Sequence, residues 1–304
     1  MLATRLATGL TLVAILLAVL ILDERMAPWF PLWFATSAVV MGLCALELVG
    51  LLEATGARPS GNTVFGGTMA LVLANWAPHV AEQVGRDLGR PLPPTYDPSA
   101  MVLVMAWPLW TFVAVLMAAF LSQSLQFRRP GATMATIAGT ILALAYVGLL
   151  GGFIIQMRWF DGPYHGLILL ATLVATAKGS DVGAYTFGRL FGRVKLWPEL
   201  SPNKTVEGAV GGLVFGVGAT LIVSAVARFA LDAPCLDWAS AVGFGLVVAP
   251  AAQLGDLMES MIKRDGARKD ASSVVPGFGG VLDVLDSLLF AAPVAYGYWI
   301  WFGP

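Results

Sequence analysis

The residues with most chemical capacity are carboxylates and cations set among apolar runs. Asp256 stands in Gln253-Leu254-Gly255-Asp256-Leu257 at the end of one long apolar stretch, and Asp283, Asp286 and Ser287 stand at the start of another. A charge inside a membrane span costs about 2.5–3.5 kcal/mol on insertion scales, so each needs a reason to be there. Asp256, Ser260 and Lys263 recur at intervals of four and three, which places them on one helical face. Asp283 shares a face with Asp286 and Ser287 in the same way. Between the two runs lie Lys263-Arg264-Asp265-Gly266-Ala267-Arg268-Lys269-Asp270 and Pro276-Gly277-Phe278-Gly279-Gly280. Carboxylates suit hard divalent ions such as Mg²⁺, which takes one or two of them and fills its shell with water and phosphate oxygens. Lys263, Arg264 and Lys269 are suited to the remaining phosphate charge. Gly279 and Gly280 let backbone N–H groups approach an anion. The chemistry expected is metal-assisted handling of a polyphosphate at a membrane surface. The plainer reading pairs Asp256 and Asp283 with Lys263 or Arg264 to fix helix packing. It accounts less well for two registered faces beside a glycine-rich loop.

A second polar block covers 178–207: Lys178-Gly179-Ser180-Asp181, then Gly188-Arg189 to Arg193, then Ser201-Pro202-Asn203-Lys204-Thr205-Val206-Glu207-Gly208. Asp181 and Lys204 are candidates to complete the same site. Arg189, Arg193 and Lys195 are equally readable as juxtamembrane cations facing anionic lipid. Gly208, Gly212 and Gly216 recur every four residues, a helix-packing signal. Glu47 is isolated in an apolar run and reads as a buried, hydrogen-bonded acid or a snorkelling one. Cys44, Cys235, His79 and His165 show no metal or redox spacing and read as packing or interfacial residues.

These residues need a scaffold, and the composition supplies one kind. The chain has 304 residues, of which 58% are hydrophobic and 12% charged, about half the charge of a soluble domain. The net charge of −1 gives no field to attract nucleic acid. Nine apolar segments are long enough to predict helices: 6–22, 32–52, 64–84, 101–122, 132–156, 165–178, 208–231, 238–258 and 281–302. The sixth is short and is expected to run on as an amphipathic stretch. A proline-rich linker fills 85–100. Arg5 followed by an apolar run looks like a signal peptide, but Asp23-Glu24-Arg25 occupies the expected cleavage region, so the segment is kept as a span. The fold class expected is therefore all-α, a polytopic integral membrane protein with about nine transmembrane helices. With the N-terminus inside, 13 of the 18 Lys and Arg residues fall on the inner side, including all five lysines. Eleven of 19 acids lie between 178 and 286. Residues 1–177 thus read as a transmembrane scaffold and 178–304 as a catalytic region whose site faces the cytoplasm from the inner membrane.

At these two blocks the sequence resembles the phosphatidate cytidylyltransferase (CDP-diacylglycerol synthase) family. That signature has the form S-x-x-K-R-x4-K-D, a short apolar stretch, then P-G-H-G-G-x-x-D-R-x-D. Ser260, Lys263, Arg264, Lys269, Asp270, Pro276, Gly277, Gly279, Gly280, Asp283 and Asp286 stand at matching positions. The family's other stretch, Asp-Ser-x-Ala-Tyr followed by S-P-x-K-T-x-E-G, is matched by Asp181, Ala184, Tyr185, Ser201, Pro202, Lys204, Thr205, Glu207 and Gly208. Phe278 and Val284 replace the signature His and Arg, Val182 replaces a Ser, and Val206 a frequent Trp. The resemblance covers about 178–290. It implies that CTP and phosphatidate give CDP-diacylglycerol and pyrophosphate, with one or two Mg²⁺ ions, at a membrane and with no nucleic acid. It implies that Asp256 and Asp283 bind metal, with Asp286 and Asp181 as further ligands. Lys204, Lys263, Arg264 and Lys269 would hold phosphates, with Ser260, Ser201, Gly279 and Gly280 beside them. It also implies a homodimer.

Two rivals remain. A CDP-alcohol phosphotransferase is hinted at by Asp265-Gly266-Ala267-Arg268, but Asp283 and Asp286 are three apart where that motif needs four. One residue is about 100° of helix rotation. The other rival is a non-catalytic lipid-binding or transport protein, since intramembrane carboxylates also mark ion paths.

Overall fold

A computed structural model describes residues 2–89, 98–128, 131, 133–160, 164 and 166–304, without the side chains of 2–6 and 98–104. The described residues form nine long helical runs. These are α1 (Leu2–Glu24), α2 (Pro31–Ala54), α3 (Gly61–Asp87), α4 (Pro98–Gln126), a run of α5 (Thr133–Ala143), a π-helical segment (Leu144–Leu149) and α6 (Leu150–Gln156), then α7 (Leu167–Phe191), α8 (Val206–Ala230), α9 (Trp238–Asp265) and α10 (Val281–Phe302). A two-stranded antiparallel hairpin, β1 (Lys195–Trp197) and β2 (Ser201–Thr205), joins α7 to α8. The all-α membrane architecture is as expected, and eight of the runs are long and apolar enough to cross a bilayer. The protein is an integral membrane protein. The sixth segment continues past 178 to Phe191, so Lys178 and Asp181 lie inside α7. His165 and residues 90–97 of the 85–100 linker lie outside the described residues.

The ninth run, α3, is the one that fails the apolar criterion, and its packing shows why. Thr68, Asn75, His79 and Glu82 are buried along it. Polar groups held away from water need internal partners. Asn75 Nδ2 donates to the Leu71 carbonyl at 2.7 Å, and Gln156 Nε2 donates to the Asn75 carbonyl at 2.8 Å. Gln156 Oε1 lies 2.9 Å from His79 Nε2, and the His79 ring stacks on Trp159 at 4.4 Å.

By internal contacts the chain divides into two units. The first comprises residues 1–159 and 265–284, the second 160–264 and 285–304. This partition follows packing, whereas a boundary at 177/178 follows charge composition. In the first unit, Pro31 starts α2 with its φ already helical. Buried Asp23 then accepts the Leu32 and Trp33 N–H groups at 2.9 and 3.0 Å, so the end of α1 caps α2. Fully buried Arg158 pairs with Glu24 at 2.7 Å, donates to the Leu20 carbonyl at 3.1 Å and lies 4.1 Å over the Phe30 ring. In the second unit, glycines let α7 and α8 pack closely. A Cβ at Gly208 would meet the Ala184 carbonyl at 2.8 Å, and one at Gly212 would meet the Ser180 carbonyl at 2.9 Å. The glycine stripe is therefore used within the chain. Asp237 caps α9 through the Ser240 N–H at 2.9 Å, and that hydrogen bond holds its carboxyl below the usual carboxylate range.

Candidate active site

Three helices of the second unit are registered by one side chain. Gln253 on α9 donates to Ser180 Oγ on α7 at 3.0 Å and to the Ala209 carbonyl on α8 at 3.1 Å. Just beyond it comes Gly255, where a Cβ would meet the Asp286 carbonyl at 2.6 Å and Ser287 Cα at 3.1 Å. Only a residue without a side chain lets α10 approach α9 this closely. That approach brings Asp256 beside Asp286.

The hairpin supplies a cation from the other direction. Thr205 Oγ1 accepts the Gly208 N–H at 3.1 Å and so caps α8. Glu207 accepts the Arg193 N–H at 3.0 Å and the Val194 N–H at 3.2 Å, which ties the start of the hairpin to the first turn of α8. The Thr-x-Glu-Gly part of the second motif is thus a positioning device. What it positions is Lys204, whose Nζ lies 2.7 Å from Asp256 Oδ2.

A second cation sits on α7. Lys178 Nζ donates to Asp181 Oδ2 at 3.2 Å and to Ser287 Oγ at 3.0 Å. Asp286 is buried and accepts the Ser287 N–H. Asp181, Asp256 and Asp286 lie within electrostatic reach of one another, with Lys178 and Lys204 among them. Three acids and two ammonium groups therefore converge from α7, β2, α9 and α10. Among the described residues, no group of three His, Cys, Asp or Glu side chains is arranged to hold a metal by itself.

Of the residues singled out in the sequence, Asp181, Lys204, Asp256 and Asp286 are brought together. Ser201 is half-buried in β2, opposite Trp197. Half-buried Ser260 lies on the following turns of α9, with Lys263 and exposed Arg264. Lys263 forms its ion pair with buried Glu259. Sequence reasoning misses Lys178 and Glu259. Glu259–Lys263 was legible as an acid–base pair four apart. Lys178 was legible only as a local partner of Asp181, because its contact with Ser287 spans 109 residues.

Lys269, Gly279, Gly280 and Asp283 belong to the first unit. Lys269 is exposed. Asp283 Oδ2 accepts the Ala271 N–H at 2.8 Å and the Gly280 N–H at 2.6 Å. Gly279 donates its own N–H to the Val275 carbonyl at 3.0 Å and has φ +111°. Both glycine N–H groups are thus engaged within the protein. Phe278, at the signature's His position, lies against α1, where a Cβ at Gly9 would meet its ring at 3.6 Å.

Comparison with known proteins adds the following. A model described as the cytidylyltransferase family matches residues 3–302. A phosphatidate cytidylyltransferase of Staphylococcus saprophyticus is 42% identical over 156 residues, covering 51% of this chain and 55% of that protein. One of Synechocystis is 36% identical over 196 residues, covering 57% and 65%. One of Bacillus subtilis is 38% identical over 155 residues, covering 51% and 55%. The chain spans somewhat over half the length of these relatives.

Proposed function

The chain belongs to the cytidylyltransferase family, and from that premise we propose that it is a phosphatidate cytidylyltransferase, converting CTP and phosphatidate to CDP-diacylglycerol and pyrophosphate in phospholipid biosynthesis. The observation that carries this reading is the convergence of Asp181, Asp256 and Asp286 with Lys178 and Lys204. The lipid phosphate attacks the α-phosphorus of CTP and pyrophosphate leaves. Both partners are anions and no enzyme nucleophile is required, so catalysis is positioning and charge neutralisation.

Each residue takes a part consistent with that chemistry. The carboxylates fit Mg²⁺, a hard ion that needs only one or two of them and keeps its other positions for water and phosphate. Asp256 and Asp286, with Asp181 within electrostatic reach of both, would hold the ion, and Asp283 is assigned by its place in the motif. When bound, the metal supplies neutralisation of phosphate charge. Lys204 and Lys178 meet the incoming phosphates with positive charge. Lys263, Arg264 and Lys269 are assigned to the departing pyrophosphate by motif, with Ser260, Ser201, Gly279 and Gly280 as neighbouring contacts. The acyl chains remain in the bilayer, which gives the enzyme its reason to be embedded. The excess of Lys and Arg on one side supports the reading that this chemistry takes place at the cytoplasmic face of the inner membrane. A homodimer is carried forward from the family resemblance.

The test is turnover by the purified protein with CTP, phosphatidate and Mg²⁺, beside Asp256→Asn and Asp283→Asn. The parent is expected to release pyrophosphate, and each variant to lose about 100-fold or more, about 2.7 kcal/mol of transition-state stabilisation, while remaining folded. Full activity in both variants sinks the metal assignment. A parent that turns over no CTP with any phosphatidate sinks the enzyme, and release of CMP in place of pyrophosphate would mark a phosphotransferase.

A further inference from the structure

We propose that Glu47 is a positioning residue that clamps the glycine loop and sets the Asp283 carboxylate; the functional half of this proposal rests on the reading of the site given above. Glu47 lies in the body of α2, far in sequence from either motif. Its Oε1 accepts Ser272 Oγ–H at 2.7 Å and the Val281 N–H at 3.0 Å, and its Oε2 accepts the Leu282 N–H at 2.7 Å. These contacts cross 225 to 235 residues of sequence. The 271–282 loop is therefore gripped on both of its arms, at Ser272 and at the first turn of α10.

Asp283 holds the same loop at adjacent points, through the Ala271 and Gly280 N–H groups. Two carboxylates thus take up five donors on a short stretch of chain. The glycines make room for them. A Cβ at Gly280 would meet Glu47 Oε2 at 2.5 Å and its Cδ at 2.8 Å. A Cβ at Gly279 would meet Asp283 Oδ2 at 2.7 Å and Asp270 Cβ at 3.2 Å. The open N–H groups of a helix N-terminus normally attract an anion. At α10 the Gly280, Val281 and Leu282 N–H groups are taken by protein carboxylates, so the anion held there is Glu47 together with Asp283. Fixing the helix start and the loop arm at once leaves Asp283 a narrow range of positions. On the proposed reading Asp283 would bind metal, and a metal-binding carboxylate needs such support from neighbours that do not themselves touch the metal.

The experiment uses the full chain in lipid nanodiscs, with Glu47→Gln, Glu47→Asp and Ser272→Ala. Hydrogen exchange is followed at 271–284, with α8 as internal reference, and turnover is titrated with Mg²⁺ and with CTP. Glu47→Gln is expected to speed exchange at 280–284 at least tenfold with α8 unchanged. It is expected to raise the Mg²⁺ concentration for half-maximal turnover at least fivefold, while KM for CTP at saturating Mg²⁺ stays within twofold. Glu47→Asp should recover part of both effects, and Ser272→Ala should show about threefold changes in the same directions. Unchanged exchange at 280–284 in Glu47→Gln overturns the clamp. Faster exchange with unchanged Mg²⁺ dependence overturns the positioning of Asp283 and leaves only a helix cap. Should Glu47→Gln not fold, Ser272→Ala decides by the same two readouts. A parent that does not turn over CTP defeats the enzyme reading, and the exchange data still decide the clamp.

Discussion

Lys178 and Lys204 carry opposite lessons about single side chains. Lys204 is marked by its motif, and its 2.7 Å approach to Asp256 ties two segments that are 52 positions apart. Lys178 has no such mark, because an ammonium three residues before Asp181 explains itself locally. The structure gives it a second partner, Ser287, next to buried Asp286. Removing a cation from among three carboxylates leaves like charges facing one another at close range. Lys178→Met is therefore expected to lower kcat/KM by about 10- to 100-fold, with Lys178→Arg recovering part of it, measured as pyrophosphate release beside thermal unfolding. For Lys204 the expectation is one of coupling. Lys204→Met and Asp256→Asn each remove one half of a shared contact, so the double variant should be little worse than the poorer single one. Independent, multiplying losses would show that the ion pair has no part in turnover. Asp256, Asp283 and Asp286 were legible because a carboxylate in a span is costly and must be explained. Glu47 raised the same question, yet its partners lie more than 200 residues away, where no local pattern points.

The helices themselves were nearly all readable from apolar length, and their departures follow from polar chemistry. α3 is less apolar than its neighbours because it carries buried Thr68, Asn75, His79 and Glu82, and the bonds of Asn75 and His79 to Gln156 and to the α3 backbone are ones no sequence period announces. α7 outruns its apolar segment because Lys178 and Asp181 satisfy each other within the helix. The every-fourth glycines were legible as packing, but not as packing within the chain. That distinction depends on what faces them, and for Gly212 it is Ser180 and Gln253, the side chain that registers α7, α8 and α9. Gly212→Val should thus destabilise by about 1–3 kcal/mol through overpacking. It should also lower turnover, since Asp256 lies one turn beyond Gln253. At Gly218, by contrast, an added Cβ would meet nothing within 4 Å. Gly218→Ala should stay within about 0.5 kcal/mol of the parent. Thermal unfolding of both in the same detergent checks the pair. Equal effects would mean that the interface around Gly212 is looser than its distances indicate.

At the scale of the whole chain, function depends on which face of the membrane receives the lysines. All five fall between 178 and 269, on stretches that the positive-inside tendency assigns to the cytoplasm. On the proposed orientation the hairpin between α7 and α8 would be cytoplasmic, and the 231–237 connection between α8 and α9 would be on the far side. The proposed substrate, CTP, is a cytoplasmic nucleotide, so under that proposal a site on the other face would have no substrate. Asn203 in the hairpin and Pro234 in the far connection are both exposed. Cys44 and Cys235 are the native thiols to remove first. In a Cys44→Ala, Cys235→Ala background, Asn203→Cys is expected to react with a membrane-impermeant maleimide in inside-out vesicles and to be protected in right-side-out ones. Pro234→Cys should show the reverse. Labelling of both from one side would remove α8 as a span. An exchange of the two patterns would put Lys204 and Asp256 on the face without nucleotide, and the cytidylyltransferase assignment would fail at the scale of the cell even with its residues correctly placed.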